Sequence, residues 1–169
     1  MRHKNIIVSI PEGRYENQDA VEKVISYIMR LNKGNLMGGY GILITTHSNI
    51  TEQFLRVKEA YGKTGGKQIL HIVFSVERTL GLTPDQIKKL GYMLAAYFGK
   101  ERQVIFAVHD DTGHLHIHMG INTVAYTNGS YCAYFELGDL KNYAEQCIDK
   151  LVDMVWFGKD INREIRFWA

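Results

Sequence analysis

The stretch from His109 to Asn122, His-Asp-Asp-Thr-Gly-His-Leu-His-Ile-His-Met-Gly-Ile-Asn, is where this sequence concentrates chemistry. It holds His109, His114, His116 and His118, a majority of the chain's 7 histidines, together with Asp111. Neutral imidazoles are common metal ligands, and three of them leave coordination positions open for a substrate. One reading is therefore a metal site built from His109, His116 and His118. The other is a polar sheet face that happens to be rich in histidine. Convergence of three imidazoles beside a carboxylate favours the metal.

Convergence depends on the elements that carry these residues. His114, His116 and His118 alternate with Leu115, Ile117 and Met119, the pattern of a half-buried strand whose successive side chains point to opposite faces. Gln103 to His109 reads as a preceding strand, and Asp110 to Gly113 as the turn of a β-hairpin. With Thr112-Gly113 as the turn, Asp111 pairs with His114, His109 with His116 and Ala107 with His118; a four-residue turn from Asp111 to His114 loses only the first pair. Directly opposed residues share a face with Cβ atoms about 4.5–5.5 Å apart. Ala107 and Gly120 fall on the same face and leave room for a ligand. Val104, Phe106, Val108, Leu115, Ile117, Met119 and Ile121 form the opposite, core-facing side.

At 169 residues, 46% hydrophobic and 22% charged, the chain reads as one soluble domain with a real core. It has no apolar run long enough for a transmembrane helix and no secretory signal, so no membrane insertion is expected. Cys132 and Cys147 form no Cys-x-x-Cys pair, and reduced thiols in a cytoplasm fit best. A net charge of +2 points only weakly to nucleic acid.

The remaining pattern supplies a scaffold. Asn5 to Ile10 is a first strand. Asn17 or Asp19 caps a helix to about Leu31, with Val21, Val24, Ile25, Ile28 and Leu31 as its buried stripe. Tyr27 sits at the edge of that stripe, where spacing alone makes it a boundary residue, ring in and hydroxyl out. Gly38 to Ile44 reads as a glycine-rich approach to a second strand, Thr51 to Tyr61 as a short helix, and Lys63 to Lys67 as a basic, solvated turn. Gln68 to Val76 is a third strand. Thr83 caps a helix with Pro84 at its first position. A short aromatic strand follows at Tyr131 to Phe135. Asp139 caps a last helix to about Val155, and 161–168 is a final strand or a tail. The expected fold class is α+β: a central antiparallel sheet of about five strands with helices packed mainly on one face.

Three motifs in order give the chain a resemblance. They are Ile25-Ser26-Tyr27-Ile28 followed by Lys33; His71-Ile72-Val73-Phe74-Ser75 followed by Gly81-Leu82-Thr83-Pro84; and His109-x-Asp111-x-x-His114-x-His116-x-His118-x-x-x-Asn122. Across about residues 3 to 155 the chain resembles the relaxase domain of plasmid mobilisation nucleases, within the HUH (His-hydrophobe-His) endonucleases. The resemblance implies a ferredoxin- or RRM-like palm, and residues 1–169 acting as a single nicking domain or as the N-terminal part of a longer protein. It implies Tyr27 as nucleophile, His109, His116 and His118 as metal ligands, and Asp111 as an acidic group beside them and a candidate base. His114, Ser75, Lys33 and Asn122 are implied as supporting or DNA-binding residues.

The implied activity is site- and strand-specific nicking and joining of single-stranded DNA at an origin of transfer, through a covalent 5′-phosphotyrosine, with accessory mobilisation proteins as further partners. The implied cofactor is a divalent ion, Mg or Mn, although three imidazoles would also accept Zn or Ni. A cation there keeps its full charge and can polarise a non-bridging phosphate oxygen. Two alternatives stay open. A replication initiator or transposase relative would use a tyrosine after the histidine motif, among Tyr126, Tyr131, Tyr134 and Tyr143. A non-catalytic module would bind single-stranded DNA or metal without nicking.

Overall fold

The computed structural model describes residues 4–31 and 34–158. Lys33 and the tail or strand expected at 161–168 lie outside them. The strands are β1 (Ile6–Ser9), β2 (Met37–Tyr40), β3 (Ile69–Val76), β4 (Val104–His109) and β5 (Leu115–Asn122). They form one antiparallel sheet in the order β1-β3-β5-β4-β2. The histidine hairpin thus occupies the middle of the sheet. Its register pairs Ala107 with His118 and His109 with His116, as the alternation predicts. The loop runs over residues 110–114, so Asp111 and His114 are not a ladder pair.

The helices are α1 (Asp19–Ile28), α2 (His47–Ala60), α3 (Pro84–Gly99) and α4 (Leu137–Phe157). The two longest, α3 and α4, close the face opposite the histidines. Their buried Leu90, Leu94, Ile148 and Leu151 join Phe74, Phe106, Ile117 and Met119 in the main core. Thr83 opens α3 with a complete capping box and Pro84 in the first turn, satisfying backbone N–H groups that the helix leaves unpaired. A smaller layer, α1 with α2, sits on the histidine face. Val24, Ile25 and Ile28 of α1 and Phe54 of α2 pack there against Ile69, Ile105 and Ala107. This layer has a physical cause. Next to the histidines that face carries an apolar strip, and helix α1 has a stripe to bury on it.

Several local expectations need correction. Neither Asn17 nor Asp19 caps α1 by its side chain; Gln18 is the N-cap and also makes no side-chain cap bond, while Asp19 and Glu22 place carboxylates in the first turn. Helix α2 starts at His47 rather than Thr51, because Thr46 accepts a hydrogen bond from the Asn49 amide and caps it. The glycines of the second strand are the strand itself. Gly38 sits where a Cβ would lie 2.5 Å from the Phe106 ring, so the edge strand can approach only without a side chain there. Tyr131 to Phe135 forms no strand; only an isolated bridge joins Val124 and Tyr131. Glu136, not Asp139, is the N-cap of α4.

Helix α2 also buries Lys58, which is 1% exposed. Its ammonium donates to the Thr123 hydroxyl at 2.9 Å, and Thr123 in turn donates to the Lys67 carbonyl at 2.7 Å. Burial, and then the charge of Arg102, push the Lys58 pKa down to about 8. Between about pH 8 and 10 the unfolded chain therefore holds a proton that the folded chain has released, and stability from this group rises with pH. Cys147, pushed by burial up to about 11, acts in the opposite direction from about pH 9, and Tyr40 and Tyr143, also raised by burial, above about pH 10; a comparison with Lys58→Met cancels all three. Urea denaturation should show the wild type gaining on the order of 2 kcal/mol from pH 8 to 10 relative to Lys58→Met. Parallel profiles for the two proteins would show that Lys58 is not a depressed lysine.

Candidate active site

Four imidazoles gather above the centre of the sheet. His109 and His118 lie 4.2 Å apart between ring centroids, His118 and His71 5.6 Å, and His116 and His118 5.9 Å. His71 was not anticipated as part of the cluster. It belongs because β3 pairs with β5 so that His71 faces Gly120, Val73 faces His118 and Ser75 faces His116. Ser75 and His71 lie four residues apart on one strand, an even spacing that puts both on the same face. Gly120 does not leave open space: Ile28, Ile69 and Ile105 fill it within 3.0–3.3 Å of where a Cβ would be.

Helix α1 lowers Tyr27 onto this cluster. Its ring lies 5.3 Å from that of His118, 5.9 Å from His71 and 6.2 Å from His109, and the residue remains 45% exposed. One turn on, Arg30 places its guanidinium 4.9 Å from the Tyr27 ring centroid and pairs with Asp111 at 3.0 Å. The cation thus ties the helix to the hairpin loop through a cation–π contact and a charge-assisted hydrogen bond. Desolvation raises the Asp111 carboxyl, but its own backbone N–H and Arg30 outweigh this and hold it below the ordinary carboxylate value.

The hydrogen bonds around the imidazoles decide which nitrogens are left. His109 Nε2 lies 2.7 Å from the Ile28 carbonyl, the last residue of α1. A carbonyl only accepts, so Nε2 carries the proton and Nδ1 is an unprotonated lone pair. That Nδ1 is buried with no partner. His118 Nδ1 meets His71 Nε2 at 3.4 Å, and His116 Nδ1 meets the Thr112 hydroxyl at 3.5 Å. Burial, and then the neighbouring imidazoles, push His118 down to about 3, and burial followed by His109 pushes His71 down to about 4. Burial also lowers His109 and His116. All four rings are therefore neutral near pH 7, the form that ligates metal.

Among the described residues no three His, Cys, Asp or Glu side chains already converge closely enough to hold a metal ion. His109, His116 and His118 share one face; His118 is the hub, with His109 at 4.2 Å and His71 and His116 at 5.6 and 5.9 Å between ring centroids. The donor set nevertheless fits a divalent cation. Three neutral imidazoles each have one nitrogen engaged by a neighbour, and the orphaned His109 Nδ1 is an unsatisfied buried acceptor of the kind a cation relieves.

Other expected residues fall further away. His114 is exposed in the loop and stacks on His116 with centroids 6.3 Å apart. Asn122 is fully buried; its amide donates to the Phe54 carbonyl and the Gln103 side chain, bracing β5 against α2 and β4. Of the later tyrosines, Tyr143 donates to the Met93 carbonyl within the α3–α4 layer, Tyr126 donates to Gly99, and Tyr131 accepts from the Lys67 amide. Tyr134 is 85% exposed.

Residues 27–151, from Tyr27 through the hairpin and into α4, match the description of a nuclease domain. The family is that of "Relaxase: MobA/VirD2-like, nuclease domain", and this chain belongs to it. Among curated proteins, the chain is similar to Protein rlx of Staphylococcus aureus, 36% identical over 76 residues. That match takes in 45% of this chain and spans 23% of the relative's length. Among the described residues no helix is long and apolar enough to cross a membrane.

Proposed function

We propose that the chain nicks and rejoins single-stranded DNA at an origin of transfer, with Tyr27 as nucleophile and a divalent cation, Mg or Mn, held by His109, His116 and His118. The observation that carries this reading is the position of Tyr27. Its ring touches three of the clustered histidines while its surface stays open to a substrate. The family and the relative support the same direction. The engagement of Tyr126, Tyr131 and Tyr143 elsewhere argues against the replication-initiator arrangement.

The Tyr27 oxygen attacks the scissile phosphorus, the bond from phosphorus to the 3′ oxygen breaks, and a phosphotyrosine ester forms on the 5′ side. The tyrosine proton passes to Asp111 or a neighbouring imidazole, and the departing 3′ oxygen takes up a proton. One ester replaces another, so the strand can be rejoined by the reverse attack. His109, His116 and His118 would hold a divalent cation, which would supply positive charge to a non-bridging phosphate oxygen. Arg30, fixed by Asp111 and lying over Tyr27, adds a second positive charge and orients the ring. Ser75, directly opposite His116, is placed to hold DNA near the cut. His114 on the loop and Lys33 fill outer DNA-binding roles. Residues 1–169 act as one nicking domain in a reducing cytoplasm, where Cys132 and Cys147 stay free, and accessory mobilisation proteins are the partners this reading implies.

The test is incubation with supercoiled plasmid carrying the cognate origin, with Mn and then with chelator. Relaxed circles bearing protein on one 5′ end, formed only with Mn, are the expected product. Nicked circles with free 5′ phosphate would point to hydrolysis instead.

A further inference from the structure

A pocket of about 300 Å³ opens beside Tyr27 and reaches the imidazole cluster at His71 and His118. Its walls are Pro11, Tyr15, Val24, Tyr27, His71 and His118, with Lys23 also lining it. We propose that this pocket receives one unstacked base of the DNA strand, from a nucleotide adjoining the scissile phosphate. The proposal rests on the nicking reading above, because that reading brings the strand to Tyr27.

Three observations converge on it. First, the walls are the faces and edges of rings and aliphatic groups, and no carboxylate lines the pocket. A nucleobase offers flat apolar faces joined to a negative phosphate, so it suits aromatic walls with a lysine nearby. The size falls at the small end for ligand pockets, about 300–1,000 Å³, enough for a single base. Second, Tyr27 is shared. A phosphate presented to the Tyr27 oxygen necessarily puts its own nucleotides against the Tyr27 ring, and the pocket lies there.

Third, Tyr15 is held in a costly conformation. It is the one non-glycine residue with positive φ among the described residues, at 48°. Such geometry persists only when the surroundings impose it, and it gathers at ligand sites. Here the Gln68 amide donates to the Tyr15 carbonyl at 2.7 Å. The Tyr15 ring lies so close to Gly13 that a Cβ there would come within 2.5 Å of it. It also meets the His71 ring edge-on at 6.4 Å. Strain at Tyr15 thus aims an aromatic wall at the space beside the nucleophile.

The experiment begins with a random pool of single strands incubated with wild-type protein and Mn. Strands that become covalently attached are sequenced, and their nick position is mapped. One selected strand is then resynthesised with a single abasic site at each position in turn, and binding is measured by fluorescence anisotropy in chelator, where no cleavage occurs. Removing one of the two bases flanking the nick should weaken wild-type binding by about 5- to 100-fold. Tyr15→Leu should bind the intact strand correspondingly weakly, and the same abasic site should then change its affinity by less than about twofold. If neither flanking base matters, or if wild type and Tyr15→Leu lose equally, the pocket does not hold a base.

A second measurement needs no variant. 2-Aminopurine at the sensitive position should be quenched on binding through stacking, and unchanged or brighter emission overturns the proposal. A pool that yields no covalently attached strand overturns the nicking reading, and the pocket assignment with it. An attached strand that tolerates both abasic sites overturns the pocket alone.

Discussion

Tyr27→Phe should form no covalent DNA adduct, a loss of at least about 1,000-fold, while folding and binding Mn like the wild type. The substitution removes only an oxygen. The ring stays against His71, His109 and His118 and under the Arg30 guanidinium, so packing is kept. Loss of the hydroxyl costs little stability, because the residue is 45% exposed and, among the described residues, no hydrogen bond fixes the group in place. The measurement is a denaturing gel with labelled single-stranded DNA carrying the nick site. Wild-type levels of adduct from Tyr27→Phe would move the nucleophile to another tyrosine and revive the replication-initiator reading. Separate substitution of Tyr126, Tyr131, Tyr134 and Tyr143 would then find it.

His109→Ala should show two losses at once, and His116→Ala only one. His109 ends helix α1 by donating to the Ile28 carbonyl, one of the terminal acceptors a helix cannot satisfy internally. Removing the imidazole leaves that carbonyl buried and unpaired and opens a cavity, at a cost of about 1–3 kcal/mol. For a domain of this size each kcal/mol lowers the melting temperature by roughly 2–4 °C, so a fall of about 3–10 °C is expected. Mn affinity by calorimetry should fall on the order of 100-fold in both variants, since each lacks one of the proposed ligands. His116 is only partly buried, with its Nδ1 near Thr112, so its variant should melt close to wild type. Equal melting temperatures for the two variants, or wild-type Mn affinity for either, would contradict the assigned roles.

These two histidines also mark how far the sequence could be read. The hairpin was legible because strict alternation fixes both face and register, and the structure pairs His109 with His116 as that pattern requires. Helix α3 was legible because Thr83 and Pro84 announce its start. His71 was harder. Most of β3 is buried, so no polar–apolar alternation betrays which residues share a face. The usable signal was its even, four-residue spacing from Ser75. Arg30 carried no signal, since its contacts with Tyr27 and Asp111 arise only when α1 crosses the hairpin. The layer of α1 and α2 on the histidine face was hidden for a related reason. A half-buried face predicts some cover, but which helix lies on it depends on chain crossings. Tyr15 was equally silent, because its backbone conformation is imposed by Gly13 and Gln68 rather than by its own type.

The bond between His109 and Ile28 joins positions 81 apart in sequence, and this separation has a consequence for the chain as it is made. Synthesis runs from the N-terminus at about 5–20 residues per second. Helix α1 and both edge strands therefore leave the ribosome well before β5, which must thread between β3 and β4 to complete the sheet. Contacts of such long range are slow to form, because loop closure precedes any gain from pairing. Until then Tyr27 has no imidazoles beneath it and no partner for its helix end. On the nicking reading, a nascent or truncated chain would hold the nucleophile without its site, and ability to cut DNA would arrive only with β5, the last of the described strands to be made.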